Sequence, residues 1–211
     1  MALIPDVAAG TVIAASWGNA VRDQGIVTFP NAGTRDSTVT PTTGRYADVA
    51  DTGLLTRGNG TVYVPIPGTL IKRADRQSSS TATATEAGVV RLAVGTLAAG
   101  VTYKICTTPL LMACSAGATV DAIIRYTTDG STPSTSSTIM DLARVDVVAS
   151  YQSASMSFLY TPATAVNLTL LLTCARSAGS GNAFIAGSSA TPTGLWVEVK
   201  NLDPGDTGVD I

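Results

Sequence analysis

Val166–Arg176, VNLTLLLTCAR, is the most apolar run of the chain and carries a single charge at its end. On an extended chain Leu168, Leu170, Leu172 and Cys174 fall on one side, and Thr169, Leu171, Thr173 and Ala175 on the other. A strand that is apolar on one face and mildly polar on the other suits the interior of a β-sandwich, or a sandwich face covered by a neighbouring subunit. On this reading Leu171 sits among threonines on the face that can meet another subunit.

The same pattern extends outward through residues 86–203. Strands are expected at Gly88–Val94, Val101–Thr107, Thr119–Thr127, Ile139–Val148, Ser153–Tyr160, Asn182–Ala186 and Leu195–Asn201. The connections between them are rich in Gly, Ser, Pro and Asp, as in Asp129-Gly130-Ser131-Thr132-Pro133 and Ser177–Gly181. Many strands without helices predict a β-sandwich, with a jelly roll as the preferred form. Trp196 alternates away from Leu195 and Val197, and interface packing is its expected role.

The first part of the chain reads differently. Residues 1–28 form an extended adaptor with one short helix, in which Ser16 caps WGNAVRDQ and Trp17 and Val21 lie one turn apart. Residues 29–67 predict a small β-meander: Gly44–Val49, a turn at Asp51-Thr52-Gly53, then Leu54–Arg57 and Thr61–Ile66 around Gly58-Asn59-Gly60. Residues 68–85 read as a linker, with Lys72, Arg73 and Arg76 as a solvated basic run before a Ser/Thr-rich tract. Residues 204–211 form a polar tail.

Composition narrows the function. Of 211 residues, 45% are hydrophobic but only 13% are charged, against about 25% charged in ordinary soluble domains. Surfaces built from Ser, Thr, Ala and Gly need little desolvation to be buried, so assembly is expected. A net charge of −2 and a pI of 4.9 argue against a nucleic-acid partner, which calls for a basic face. No histidine is present. That removes the commonest general base, the commonest metal ligand and every Ser-His or Cys-His nucleophile pair.

Other chemistry is equally thin. Cys106, Cys114 and Cys174 lack C-x-x-C spacing and read as free thiols, with a Cys106–Cys114 pair as the alternative. Asp203, Asp206 and Asp210 read as a frayed terminus rather than a calcium loop. Asp121, Asp129, Asp141 and Asp146 offer no carboxylate pair by spacing. GSGNAFIAGSS lacks the Lys-Ser/Thr ending of a phosphate loop. The N-terminus MALIPDVAAGTVIAASW has no basic region and holds Pro5 and Asp6, unlike a signal peptide. No run approaches the ~20 apolar residues of a membrane span. No enzyme activity, cofactor or metal is therefore expected.

AAGTVIAASWGNAVRDQGIVTFPNAGTRDS, followed by Gly44, Tyr46, Asp51-Thr52-Gly53-Leu54 and Asn59-Gly60-Thr61, resembles the opening of minor tail and other virion structural proteins of tailed phages infecting actinobacteria. Later strings are also similar to modules of such proteins: Ala99–Ile105, the I-R-Y-T-x-D-G-S-x-P-x-x-S segment at Ile124–Ser136, Ala175–Gly181 and the closing V-E-V-x-N-L-x-P-G. The ending departs from the family's usual V-E-D-x-G.

The resemblance implies a trimeric jelly-roll knob of the complement and tumour-necrosis-factor kind, held on a virion by its N-terminal segment. It implies a minor tail or tail-tip component, with host-surface glycan binding as a further role. A capsid-decorating head-fibre knob is the first alternative, and a carbohydrate-binding module or cell-wall hydrolase the second. Trp17, Asn19, Val21 and Arg22 are the expected virion-anchor residues, and Leu171 and Trp196 the expected subunit-interface residues. The expected partners are two further copies and other virion proteins, with assembly in the bacterial host cytoplasm.

Overall fold

The computed structural model describes residues 26–200 apart from 44, 51–53, 59, 62 and 148–150. The chain divides into two units, Met1–Ile66 and Pro67–Ile211. The short helix around Ser16, the anchor residues Trp17, Asn19, Val21 and Arg22, the turn at Asp51-Thr52-Gly53 and the acidic tail lie outside the described residues.

In the first unit, strand β1 (Val27–Phe29), helix α1 (Ala32–Thr38) and strands β2 (Tyr46–Val49), β3 (Leu54–Gly58) and β4 (Tyr63–Pro65) follow one another. They form one sheet in the order β1-β2-β3-β4. β1 runs parallel to β2, and the other pairs are antiparallel. β2, β3 and β4 are the three-stranded meander read at Gly44–Val49, Leu54–Arg57 and Thr61–Ile66, and β1 adds a parallel strand at its edge. A parallel pair needs a crossover, and α1 lies within it. Asn31 caps that helix by accepting a hydrogen bond from the Thr34 amide at 2.8 Å. Val27 and Thr28, read as part of the adaptor, belong to this sheet.

Phe29, Ala47 and Tyr63 form the small core, with Val39 packed on it. Arg35 is buried beside them, its guanidinium 4.7 Å from the centre of the Tyr63 ring. It pairs with Asp36 at 2.7 Å and donates to the Thr56 hydroxyl at 3.4 Å. Gly58 is required by close approach, since any Cβ there would collide with the Thr42 carbonyl.

In the second unit the strands are β5 (Leu70–Arg76), β6 (Ala87–Leu97), β7 (Tyr103–Thr107), β8 (Leu110–Cys114), β9 (Ala118–Thr127), β10 (Thr138–Val147), β11 (Gln152–Ala154), β12 (Ser157–Tyr160), β13 (Val166–Gly179), β14 (Ala183–Ala186) and β15 (Thr193–Val199). One layer has the order β10-β9-β13-β6. The opposite layer is β12-β7-β15-β5, continued by β11-β8-β14. Only Thr108 and Pro109 separate β7 from β8, and only Ser155 and Met156 separate β11 from β12. Each of these pairs is one bent strand, as is β14 with β15 across residues 187–192.

Joined this way, the described residues of the unit form eight antiparallel strands in two layers. Their orders are β6, β13, β9, β10 and β5, β14/β15, β7/β8, β11/β12. This is the strand order of a jelly roll.

The core lies between the layers. Leu168, Leu170 and Leu172 of β13 are fully buried, with Val120 and Ile124 of β9 beside them. Tyr103, Ile105, Met112, Leu195 and Val197 close the opposite side, all fully buried. The protein is mainly β, as its alternating apolar pattern predicts.

Three expectations need correction. Residues 68–85 are not a linker. Leu70–Arg76 is an edge strand paired with β15, and an edge tolerates the charged side chains that made it look like loop. The basic run is not freely solvated either: Arg76 donates to the carbonyls of Ser78, Ser79 and Val89. The Ser/Thr tract is tied along β14, with the Ser80 amide on the Ile185 carbonyl and Thr83 bridged to Ala183. Next, Ser153–Tyr160 is broken at Met156, which turns inward and is buried. Finally, Leu110–Cys114 forms a strand that the sequence pattern hides, because Pro109 interrupts the alternation before it.

Candidate functional site

The outer face of the β10-β9-β13-β6 layer mixes apolar residues with ion pairs. Leu171 is half-buried and lies in register between Arg91 of β6 and Arg125 of β9. Ile139 and Leu142 on β10 are 48% and 41% exposed. Arg125 grips Glu86 through two nitrogens at 2.5 and 2.6 Å, and donates a third hydrogen bond to the Ser137 carbonyl. The Thr173 hydroxyl donates to the same Glu86 at 2.6 Å, which is why this threonine is fully buried on the outer side. Arg144 holds Asp121 through two bonds of 2.7 Å, and Ser177 donates to that carboxylate at 3.0 Å.

These partners set the charge states. Burial pushes the Glu86 carboxyl up, but the bonds from Arg125 and Thr173 and the charge of Arg125 outweigh it and leave the group below its ordinary range. For Asp121 the Arg144 hydrogen bond is the largest cause; with Ser177 it overcomes burial, and the carboxyl again lies low. Both groups are ionised at neutral pH and occupied by arginine. Bidentate arginine–carboxylate pairs are rigid, so they frame the apolar residues firmly.

The outer face of the opposite layer carries a second mixed patch. Trp196 lies in register between Cys106 of β7 and Arg73 of β5, with the Arg73 guanidinium 5.7 Å from the centre of the ring. Arg73 pairs with Asp75 at 2.8 Å, and Lys104 with Glu198 at 3.7 Å. Leu159 and Leu70 flank that second pair and are 51% and 53% exposed. Leu171 and Trp196 therefore lie on opposite outer faces and cannot share one contact patch.

All three cysteines are free thiols. Burial is the main cause that pushes the Cys174 thiol up to about 12, so it is inert at neutral pH. Among the described residues no group of three His, Cys, Asp or Glu side chains is placed to hold a metal ion. No helix among them is long and apolar enough to cross a membrane.

The paired residues were not legible as a site from spacing. Glu86 and Arg125 are 39 positions apart and Asp121 and Arg144 are 23 apart; only strand register joins them. Of the scattered aspartates, Asp121 is in an ion pair, Asp146 accepts from the Thr119 hydroxyl, and Asp129 stands apart in the β9–β10 loop.

Residues 94–172 match the family model of the chitobiase/beta-hexosaminidase C-terminal domain. The match runs from within β6 to within β13 and includes the β9–β10 loop. No curated protein matches the chain. Among solved structures, the chain is similar at 17% identity to the CBM22-1–GH10 modules of Clostridium thermocellum endo-1,4-beta-D-xylanase 10B, complexed with xylohexaose. That likeness has a TM-score of 0.34 and covers 64% of this chain and 29% of that one. It is also similar to a structure of infectious bursal disease virus Gx strain, at 14% identity and TM-score 0.29, covering 72% of this chain and 42% of that one. A VP2 protein of the same virus in T=1 particles is matched at 10% identity and TM-score 0.28, over 81% of this chain and 50% of that one. The chain thus spans half or less of each of these structures. The jelly roll is established here by strand order.

Proposed function

We propose that the chain is a virion structural protein of a tailed phage: a minor tail or tail-tip component that displays a homotrimeric β-knob built by its second unit. The observation that carries the reading is the pair of mixed patches on the two outer faces of the jelly roll. A closed ring of three needs two different, complementary patches on every copy. Leu171, Ile139 and Leu142 offer one, and Trp196, Leu159 and Leu70 offer the other. On each patch most of the neighbouring charges cancel in pairs; Arg91, beside Leu171, donates to the Thr132 hydroxyl and needs an acceptor from the neighbouring copy when buried.

Low overall charge supports the same reading, as does the sequence resemblance to phage virion proteins. The role is structural rather than catalytic. The carboxylates of part-buried Glu86 and buried Asp121 are each engaged by an arginine, and the chain offers no histidine. Trp17, Asn19, Val21 and Arg22 remain the proposed anchor to other virion proteins.

Gold-labelled antibody against the chain, applied to intact particles of the phage that encodes it, tests this. Label at the tail is the expected result. Label over the capsid faces would favour a head-decorating knob, and unlabelled particles would overturn the virion assignment.

A further inference from the structure

A cleft of about 420 Å³ opens at one end of the jelly roll, where β9 leads into β10. Its walls are the two arms of the connecting loop. Tyr126, Thr128 and Asp129 line the arm leaving β9, and Ser136, Ser137 and Thr138 the arm entering β10. Every lining side chain bears a hydroxyl or a carboxylate, and none bears a positive charge.

Both arms are fixed before any ligand arrives. On the first, the Gly130 amide donates to the Asn167 carbonyl at 2.7 Å and the Asn167 amide to the Thr128 carbonyl at 3.0 Å. Gly130 has φ +82°, and a Cβ there would collide with the Asn167 side chain. On the second, Arg125 holds the Ser137 carbonyl, and Ser134 and Ser137 close a turn on each other. Pro133, between the arms, is buried. Such preorganisation lowers the entropy lost on binding.

The chemistry of the walls selects the ligand. Tyr126 is half-buried and its ring is held against Tyr160, with centroids 6.1 Å apart. It offers a fixed, flat apolar surface with a polar tip. Asp129 accepts from the Ser131 amide and hydroxyl through Oδ1, which holds its carboxyl low and charged; Oδ2 is left for an outside donor. The Thr128 and Thr138 hydroxyls make no hydrogen bond among the described residues, so they too can serve a ligand. A ring face, one carboxylate acceptor and several hydroxyls suit a molecule with many hydroxyl donors and an apolar C–H face. The carboxylate has no cation beside it in the cleft, which disfavours anionic ligands.

We infer that the β9–β10 cleft is a binding site for neutral carbohydrate, with Tyr126 as the platform for a pyranose ring and Asp129 as acceptor from adjacent sugar hydroxyls. The site goes beyond the assembly reading and does not depend on it, because every residue of it comes from one copy.

Saturation-transfer NMR on the full chain tests the site, with xylohexaose, cellohexaose, chitohexaose and mannohexaose as neutral probes and hexagalacturonate as the anionic control. At millimolar concentration at least one neutral probe is expected to give transfer, and the control none. Asp129→Asn should weaken that binding about tenfold, a difference of about 1.4 kcal/mol, with the melting temperature unchanged. Tyr126→Phe keeps the ring and should keep binding, whereas Tyr126→Ala should lose it. Silence from all four neutral probes would overturn the inference. So would binding that survives both Asp129→Asn and Tyr126→Ala, equal transfer to the uronate, or binding seen only with added calcium. The oligomeric mass, measured on the same samples, reports separately on the assembly reading.

Discussion

Leu170 and Leu171 are sequence neighbours on opposite faces of β13, and the fold assigns them different work. Leu170 is fully buried between the layers, whereas Leu171 is half-buried on the outer face. Leu170→Ala removes three carbons. At ~0.8 kcal/mol per buried methylene the transfer loss is about 2.4 kcal/mol. The cavity left behind adds to it, giving about 3–4 kcal/mol, inside the ~2–5 kcal/mol span of such changes. In a domain of this size each kcal/mol moves the melting temperature by about 2–4 °C, so a fall of roughly 6–16 °C is expected.

Leu171→Ala should cost less than about 1 kcal/mol in an isolated chain, in line with surface sites. Its main effect should fall on association, and so should appear in how stability depends on protein concentration. Urea denaturation read by hydrogen exchange at the β13 amides follows the second unit alone. Repeating it over a range of protein concentrations separates the two effects. A loss below about 0.5 kcal/mol for Leu170→Ala would refute the core assignment. A concentration dependence unchanged by Leu171→Ala would refute its place in the interface.

Three further outcomes follow from the geometry. Glu86 and Asp121 have carboxyls lowered in the folded state, so their contribution is present above the ordinary carboxylate pKa of about 4 and is lost as pH falls through the lowered values. Glu86→Gln should therefore lower the urea midpoint at neutral pH and lower it less at pH ~3; an equal deficit at both would contradict the ion pair. Gly179→Ala should destabilise the second unit by about 2 kcal/mol or more, because Gly179 has φ +82° and its Cβ would lie 2.6 Å from the Gly117 carbonyl oxygen; a thermal melt checks this. Arg35→Lys should weaken hydrogen-exchange protection in β2 and β3, since an ammonium cannot combine the fork to Asp36 with the stack on Tyr63. Unchanged protection would count against that role.

The fold was legible where alternation is strong and local. Leu168, Leu170 and Leu172 announce a buried strand, and Leu195 and Val197 announce another whose Trp196 turns outward. It was illegible where tertiary context overrides local signals. Lys72, Arg73 and Arg76 look like linker, yet an edge position in the sheet accommodates them. Asn31 is a capping residue, but the seven-residue helix after it lacks an apolar stripe and gives no periodic signal. The candidate sites were harder still. Cross-strand pairs such as Glu86–Arg125 depend on register that no spacing encodes, and the cleft beside Tyr126 exists only because two arms of one loop are pinned separately.

In the proposed trimer the knob assembles through its two outer faces. Sedimentation equilibrium of the full chain at micromolar concentration tests it most directly. Three times the 21.4 kDa chain mass is expected, falling toward a single chain when Leu171→Asp and Trp196→Ser are combined. A mass of one chain for the unaltered protein would contradict it.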